Sequence, residues 1–577
     1  MKTLVTTALE NTWKENERIV FLGEWCKLYD RSLVWSQLNS DTLSYHWKDR
    51  GKLKQDYNYL EDFYEKSLIE LTGVLNNIHG VEQSIDYWRI VLGPWLLTYV
   101  AVIWDRWENI RIAFNSHEFK NTRVVDCNII DLAPKDYTDA SELFQDQLWN
   151  HLIFADIIQS QYSQQISIES VCYKVENSVQ KAPISKRSIK LSAVYFMDRL
   201  FGKIKTRYKI VFVDSYFDPW TQLKLALSLR QLPRFHFEFK KALKMPKSSN
   251  SKRRLSINFK ADTPFEEFIG SNIMLHIPIA YLEGYFYLKN KAIQKLPNCD
   301  VIFTSNAHFY NDLFKVWCAD RVAINAKLIV SEHGGSLRSS MNDFNHEEKI
   351  AFLKTVWHDP YDLRHIKLPP NKIMGMKIPK GNVKNIVIIG LEFPLFSCGC
   401  KSGPRASLIL EDYAQKIIFA RKLDSKVYDN LLVHPYKNNG WNTHKRYMDD
   451  LGVNKISTSL TLKEAIGRSR IIVCTYPETT FSEAMHSGVP TILLYTEIYW
   501  ELISDFDDVV QVLKDASIIF SSPDDAAKHV NKVWENVSSW WDSEKTVKAR
   551  EYFFDRCGRV DRSSQSEWVD FFKKNLN

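Results

Sequence analysis

Leu431-Leu432-Val433-His434-Pro435-Tyr436-Lys437 and Ile471-Ile472-Val473-Cys474-Thr475-Tyr476-Pro477-Glu478-Thr479-Thr480-Phe481-Ser482-Glu483-Ala484 are two apolar runs that stop abruptly at hydrogen-bonding residues. Each reads as a strand running into a polar turn. In a parallel α/β sheet, ligands bind at the carboxyl ends of strands. Pro435 ends the first strand and leaves His434 near that edge. An imidazole N–H there can meet a phosphate oxygen, and Lys437 adds charge nearby. Taken alone, His434-Pro435 reads better as an ordinary turn than as a site. In the second run Thr479 or Thr480 can cap a helix, with Glu483 placed to return the bond if Thr480 is the cap. The first-turn N–H groups would then face a ligand phosphate. Glu478 could accept hydrogen bonds from ribose hydroxyls or a base amine. A well-capped structural helix gives the same pattern, and capping and binding are compatible.

Outward from these runs, residues 385–390 and 491–495 read as strands, with helices over 408–423, 441–451 and 461–468. Upstream, 208–214, 300–306 and 327–331 are strands, the last running into Glu332-His333-Gly334-Gly335. Strands alternating with helices predict parallel, Rossmann-like sheets. The expected fold class is α/β: two Rossmann-like domains facing a cleft, with helical N-terminal additions and a closing C-terminal helix. The expected boundaries are 1–370 on the acceptor side, 384–545 on the nucleotide side, and 546–577 as a helix packing back on the first domain. The segment 365–383, with Pro369, Pro370, Pro379, Gly375 and Gly381, reads as the linker. Residues 56–77 form an amphipathic helix, and 84–115 a buried one interrupted at Gly93-Pro94. Ile90–Trp104, the longest apolar stretch, is too short to span a bilayer.

The chain has 577 residues, 45% hydrophobic and 25% charged, the balance of a folded protein of two or three domains. A net charge of +7 does not demand nucleic acid, and no nucleic-acid-binding motif appears. The nine cysteines are scattered without metal-ligand spacing, which predicts reduced thiols in a cytoplasmic protein. Lys240–Arg254 concentrates basic residues without an acid. It is a solvated loop or a patch for peripheral contact with anionic lipid of the inner membrane.

Two glycines after a strand permit a tight turn and close approach to substrate. His333, Gly334 and Gly335 are therefore candidates at the cleft, with Arg338 near enough to assist with an anionic sugar. Sugar transfer needs a base for the acceptor hydroxyl, or a carboxylate nucleophile. Glu24 and Asp214, at the ends of predicted strands, are the candidates for that group, while His333 could stabilise the leaving phosphate or bind the sugar carboxylate. No Asp-X-Asp dyad stands at a strand end in the nucleotide half. The expectation is metal-independent chemistry with no cofactor beyond a nucleotide-sugar co-substrate.

His434-Pro435 followed by Thr479-Thr480 resembles the His-Pro and Ser-Ser or Ser-Thr pair of bacterial sialyltransferases and related CMP-sugar transferases. CDP-glycerol-dependent polymerases carry a comparable pair. Further fragments are Phe21-Leu22-Gly23-Glu24-Trp25-Cys26, Tyr45-His46-Trp47-Lys48-Asp49-Arg50, Tyr87-Trp88-Arg89-Ile90-Val91-Leu92-Gly93-Pro94-Trp95, His333-Gly334-Gly335 and Pro477-Glu478-Thr479-Thr480-Phe481. Together they resemble a family of transferases from O-antigen and surface-polysaccharide gene clusters. The resemblance implies a GT-B-like glycosyltransferase that moves a Kdo- or sialic-like acid from a CMP-sugar to a glycan acceptor, free or on a lipid carrier. It implies nucleotide contacts from His434, Pro435, Thr479 and Thr480; Gly334, Gly335, Arg338, Lys437 and Glu478 complete the expected donor site on the residue readings above. The alternatives are a UDP- or GDP-sugar donor, glycerophosphate transfer from CDP-glycerol, and a non-catalytic scaffold of the same pathway.

Overall fold

The structure is a computed structural model. It describes the chain except residues 1, 15, 128–132, 173–197, 199–200, 202–207, 241–244, 246–253, 255–259, 296, 336, 379–382, 458 and 577. Among the described residues it contains three five-stranded sheets. The first holds β1 (Lys2–Val5), β2 (Ile19–Phe21), β3 (Ser40–Thr42), β4 (Phe119–Asp126) and β5 (Ser167–Cys172), in the order β3-β2-β1-β4-β5. The middle sheet holds β6 (Tyr208–Val213), β7 (Cys299–Thr304), β8 (Lys327–Ser331), β9 (Leu353–Val356) and β10 (His365–Lys367), adjacent in chain order. The third holds β11 (Asn385–Ile389), β12 (Leu431–His434), β13 (Ser469–Cys474), β14 (Thr491–Leu494) and β15 (Ile519–Phe520), ordered β12-β11-β13-β14-β15. Each described strand pair is parallel.

The middle and third sheets are the two Rossmann-like halves that face the cleft. The N-terminal addition carries a sheet of its own as well as helices. Its strands lack the apolar alternation that marks a strand in sequence. β1 has four residues, β4 carries Lys120, Asn121 and Arg123, and β5 is an exposed edge.

Two long helices lie in this addition. Arg50–His79 is capped by Asp49, whose side chain accepts from the Lys52 N–H, and is ended by Gly80 at φ +62°. It buries Leu60, Leu68, Leu71 and Leu75 at helical spacing. Ile85–Ser116 is continuous through Pro94 rather than interrupted there. Packing holds it, since Gly93, Pro94 and most of their neighbours are buried. A Cβ on Gly93 would come within 2.8 Å of both Tyr64 Oη and His346 Cε1, so glycine is needed for this close approach. At 32 residues the helix is, by length and composition alone, long and apolar enough to cross a membrane, and 89% of its most apolar window is buried inside the protein.

The chain leaves the third sheet through the helix Glu544–Cys557, turns at Gly558, and returns to the middle sheet as Ser564–Leu576. There Trp568 and Phe572 are buried against Phe303, with Phe212 also on Phe572. Each contributes roughly 2–3 kcal/mol of apolar burial. Trp568 Nε1 donates to the Pro369 carbonyl at 3.0 Å.

The ends of the basic segment have internal partners. Lys240 pairs with Asp214 at 3.0 Å. Arg254 is 2% exposed, forks onto Glu283, and donates to the carbonyls of Met274, Leu275 and Ile277. A guanidinium so enclosed is not a lipid contact, which corrects that end of the patch. Lys241, Lys244, Lys247, Lys252 and Arg253 lie outside the described residues. All nine cysteines are free.

Candidate active site

The third sheet reverses its winding between β11 and β13, the switch point at which open α/β sheets bind ligands. Beyond β13 lies Thr475–Glu478 and the helix Thr479–His486. Across from it, β8 ends in Glu332-His333-Gly334-Gly335. The two strand ends touch: a Cβ on Gly334 would overlap Thr479 Oγ1. Gly335 sits at φ +126°, a backbone that L side chains rarely adopt.

Between them is a cavity of about 240 Å³ lined from both halves. His333, Gly334, Gly335, Arg338, Glu478 and Thr479 all line it, so the structure brings six of the predicted residues together. Asn306, Asp343, Glu347 and Lys354 also line it and were not singled out in the sequence.

His333 has a side chain 43% exposed, with Nδ1 3.8 Å from Glu347 Oε1. Its ring stacks on Tyr216 at 5.8 Å. Burial lowers its pKa from the ordinary histidine value, an effect Glu347 only partly offsets. Behind it lies a charged layer. Lys354 Nζ reaches Glu347 Oε2 at 2.7 Å and Glu348 Oε1 at 2.8 Å. Arg338 Nη2 reaches Glu348 Oε1 at 2.8 Å and its guanidinium lies 4.5 Å from the Tyr361 ring centroid. Burial opposes ionisation of Glu347, but Lys354 and then His308 outweigh it and hold the carboxyl well below the usual range. Burial likewise opposes the charge on Lys354, and Glu347 and Glu348 overcome it. Glu332 is fixed by the Trp357 N–H, which donates to its Oε2 at 2.8 Å.

Glu478 is the N-cap residue of its helix, in an extended conformation, so neither threonine is the cap. Glu483 pairs with Lys372 at 3.3 Å instead of closing a capping box. Burial raises the Glu478 pKa, against the pull of Arg405 and Lys401. Thr480 is buried and shares a hydrogen bond of 2.6 Å with Tyr476 Oη, so it faces the core rather than the cavity.

Other candidates lie elsewhere. Asp214, at φ +45°, lines a neighbouring cavity of about 460 Å³ that shares Asn306 with the first. Its carboxylate is engaged by Lys240. Glu24 follows β2 of the N-terminal sheet and lines none of the three cavities; it pairs with Lys27 at 2.8 Å, and its N–H donates to Ser407 Oγ of the third unit at 3.3 Å. His434 ends the edge strand β12, two places from β13, and Pro435 follows it; they line neither cavity. His434 instead gives its carbonyl to the Gly390 N–H at 2.9 Å. Lys437 lines a third cavity, of about 310 Å³, with Lys401 and Arg405.

Lys401 and Arg405 were legible in principle. Gly399-Cys400-Lys401-Ser402-Gly403-Pro404-Arg405 joins β11 to the helix Leu408–Arg421, and a glycine-rich, basic strand-to-helix loop is a phosphate-binding signature. No metal-ligating cluster is present among the described residues.

Several solved structures are similar in fold. MurG of Acinetobacter baumannii is 11% identical, with a TM-score of 0.32, over 64% of this chain and 100% of its own. The wall teichoic acid polymerase TagF is 11% identical, with a TM-score of 0.31, over 67% and 94%. The glycosyltransferase VinC, solved with dTDP, is 13% identical, with a TM-score of 0.34, over 64% and 98%. No curated protein matches the chain. The family model described as "LIC12162 family transferase" matches residues 2–572, and the chain therefore belongs to that transferase family.

Proposed function

We propose that this transferase is a glycosyltransferase of surface-polysaccharide assembly, taking a Kdo- or sialic-like acid from CMP to a glycan acceptor, free or lipid-linked. One observation carries the reading: the turn after β8 and the helix after β13 meet across one cavity, with His333 on one side and Glu478-Thr479 on the other. Transfer needs an anchored leaving group and a base for the incoming hydroxyl. In this reading the acceptor oxygen attacks the anomeric carbon, its proton passes to the neutral imidazole of His333, and the bond to the nucleotide phosphate breaks. Glu347, behind Nδ1, steadies the imidazolium that forms. Asp214 is a reserve base in the adjoining cavity. No residue is assigned to a metal, and activity is expected to survive EDTA.

Calorimetric titration with CMP, CDP, UDP and GDP, followed by turnover of the matching donor, tests the reading. Binding of CMP with transfer of an acidic sugar supports it. Preference for UDP or GDP, or glycerophosphate transfer from CDP-glycerol, replaces the donor. Nucleotide binding without turnover of any donor favours the scaffold.

A further inference from the structure

The third cavity, beside the cleft, has no counterpart in a two-sheet core, because part of its wall comes from the N-terminal addition. Tyr137, Ser141 and Phe144 form that wall. Phe309 and Tyr310 line both this cavity and the cleft, so the two chambers adjoin. Opposite the N-terminal wall stand Lys401, Arg405 and Lys437.

Two of these three cations have no contacting carboxylate among the described residues. Lys401 is paired with Asp343 and lies 5.8 Å from the Phe309 ring centroid. Arg405 stacks on Phe393 at 3.8 Å and gives its Nε to the Ser402 carbonyl at 2.9 Å. Among the described residues no carboxylate lies within ion-pair distance of Arg405 or Lys437, although Glu478 and Asp343 act on Arg405 from farther away. A half-buried arginine with no carboxylate in contact keeps donors free for an incoming anion. The backbone is shaped for the same task. Gly403 at φ +102° and Ala406 at φ +46° bend the loop into the first turn of Leu408–Arg421. A left-handed alanine is strained, and such strain gathers at ligand sites.

We infer that this chamber receives a phosphoryl group, held by Lys401, Arg405 and Lys437, and that the N-terminal addition closes the phosphate site of the enzyme. The inference rests on the transferase reading above and deepens it. The phosphoryl group belongs either to the nucleotide donor or to a diphosphate lipid acceptor, since both present the same charge. The shared Phe309–Tyr310 wall then places the bond to be broken beside His333.

The test is calorimetric titration of the full chain with CMP and CDP, and separately with farnesyl diphosphate as a soluble diphosphate lipid. The variants are Arg405→Gln, Lys437→Gln and Ser141→Trp. Arg405→Gln is expected to weaken the phosphoryl ligand about tenfold or more, as loss of a charge-assisted hydrogen bond does. Lys437→Gln, at an exposed position that leaves folding intact, weakens it less. Ser141→Trp obstructs the chamber from the N-terminal wall and weakens it without altering any charge. Loss confined to CMP and CDP assigns the chamber to the donor, and loss confined to farnesyl diphosphate to the acceptor. Wild-type affinity in all three variants overturns the inference and leaves the nucleotide reading standing. No binding of either ligand by the wild type overturns both.

Discussion

The cleft chamber and the chamber beside it use cations in opposite ways. In the first, Arg338 and Lys354 are spent on Glu347 and Glu348, a closed layer of charge beneath His333. In the second, Arg405 and Lys437 form no carboxylate pair among the described residues. A paired layer gives a fixed floor; cations with no carboxylate in contact give a place for an anion. Arg338, which the sequence offers as a ligand for an anionic sugar, belongs to the floor. The two sheets differ in the same sense. The middle one is wound in chain order, whereas the third reverses at β11 and β13 and opens its crevice there.

The comparison breaks most readily at Lys354. Lys354→Met leaves Glu347 and Glu348 buried without their shared cation, and a loss of about 3–5 kcal/mol in urea unfolding is expected. Both carboxyls are held below their ordinary range in the folded state. Their contribution to stability is therefore complete above the unfolded carboxylate pKa and is lost as pH falls through the lower folded values. The variant should lose that part of the acid dependence as well as stability at neutral pH. A variant as stable as the wild type would show that the layer is no floor.

His333→Ala sharpens the contrast, because it removes chemistry from the first chamber and leaves the second intact. A fall in kcat of about 100-fold is expected, with nucleotide affinity retained. The depressed pKa of His333 puts the acid limb of kcat/KM below the ordinary 6.5. A limb above that value would remove His333 as the base. The smallest effect is expected at Thr480→Ala, which gives up the bond to Tyr476 Oη at a cost of about 1 kcal/mol and leaves nucleotide affinity unchanged. A large loss of affinity there would return Thr480 to the site.

The site was legible where a strand ended on glycines or on a polar turn. Gly334, Gly335 and Glu478-Thr479 announce themselves because backbone approach and a helix start need those residue types. His434 looked equally promising, but one sequence does not say which strand neighbours which, and strand order puts β12 at the edge. The charged floor was hidden because the charged run His346-Glu347-Glu348-Lys349 has no apolar pattern of its own, and only tertiary packing buries His346 and Glu348. Glu24 was misplaced for a related reason. The polar, short strands β1, β3, β4 and β5 carry too little periodicity to reveal that β2 belongs to a separate N-terminal sheet.

The return of the last helix to the middle sheet has a mechanical consequence. The third unit is entered by one crossing near Pro370 and left by another at Gly558, and these lie together: a Cβ on Gly558 would stand 2.6 Å from Pro370 Cγ. His486 Nε2, on the helix that begins at Thr479, lies 2.9 Å from the Gly558 carbonyl oxygen at the same spot. The two covalent crossings are therefore coupled: any side chain at Gly558, whose φ is +107°, would press on the way in as well as on the way out.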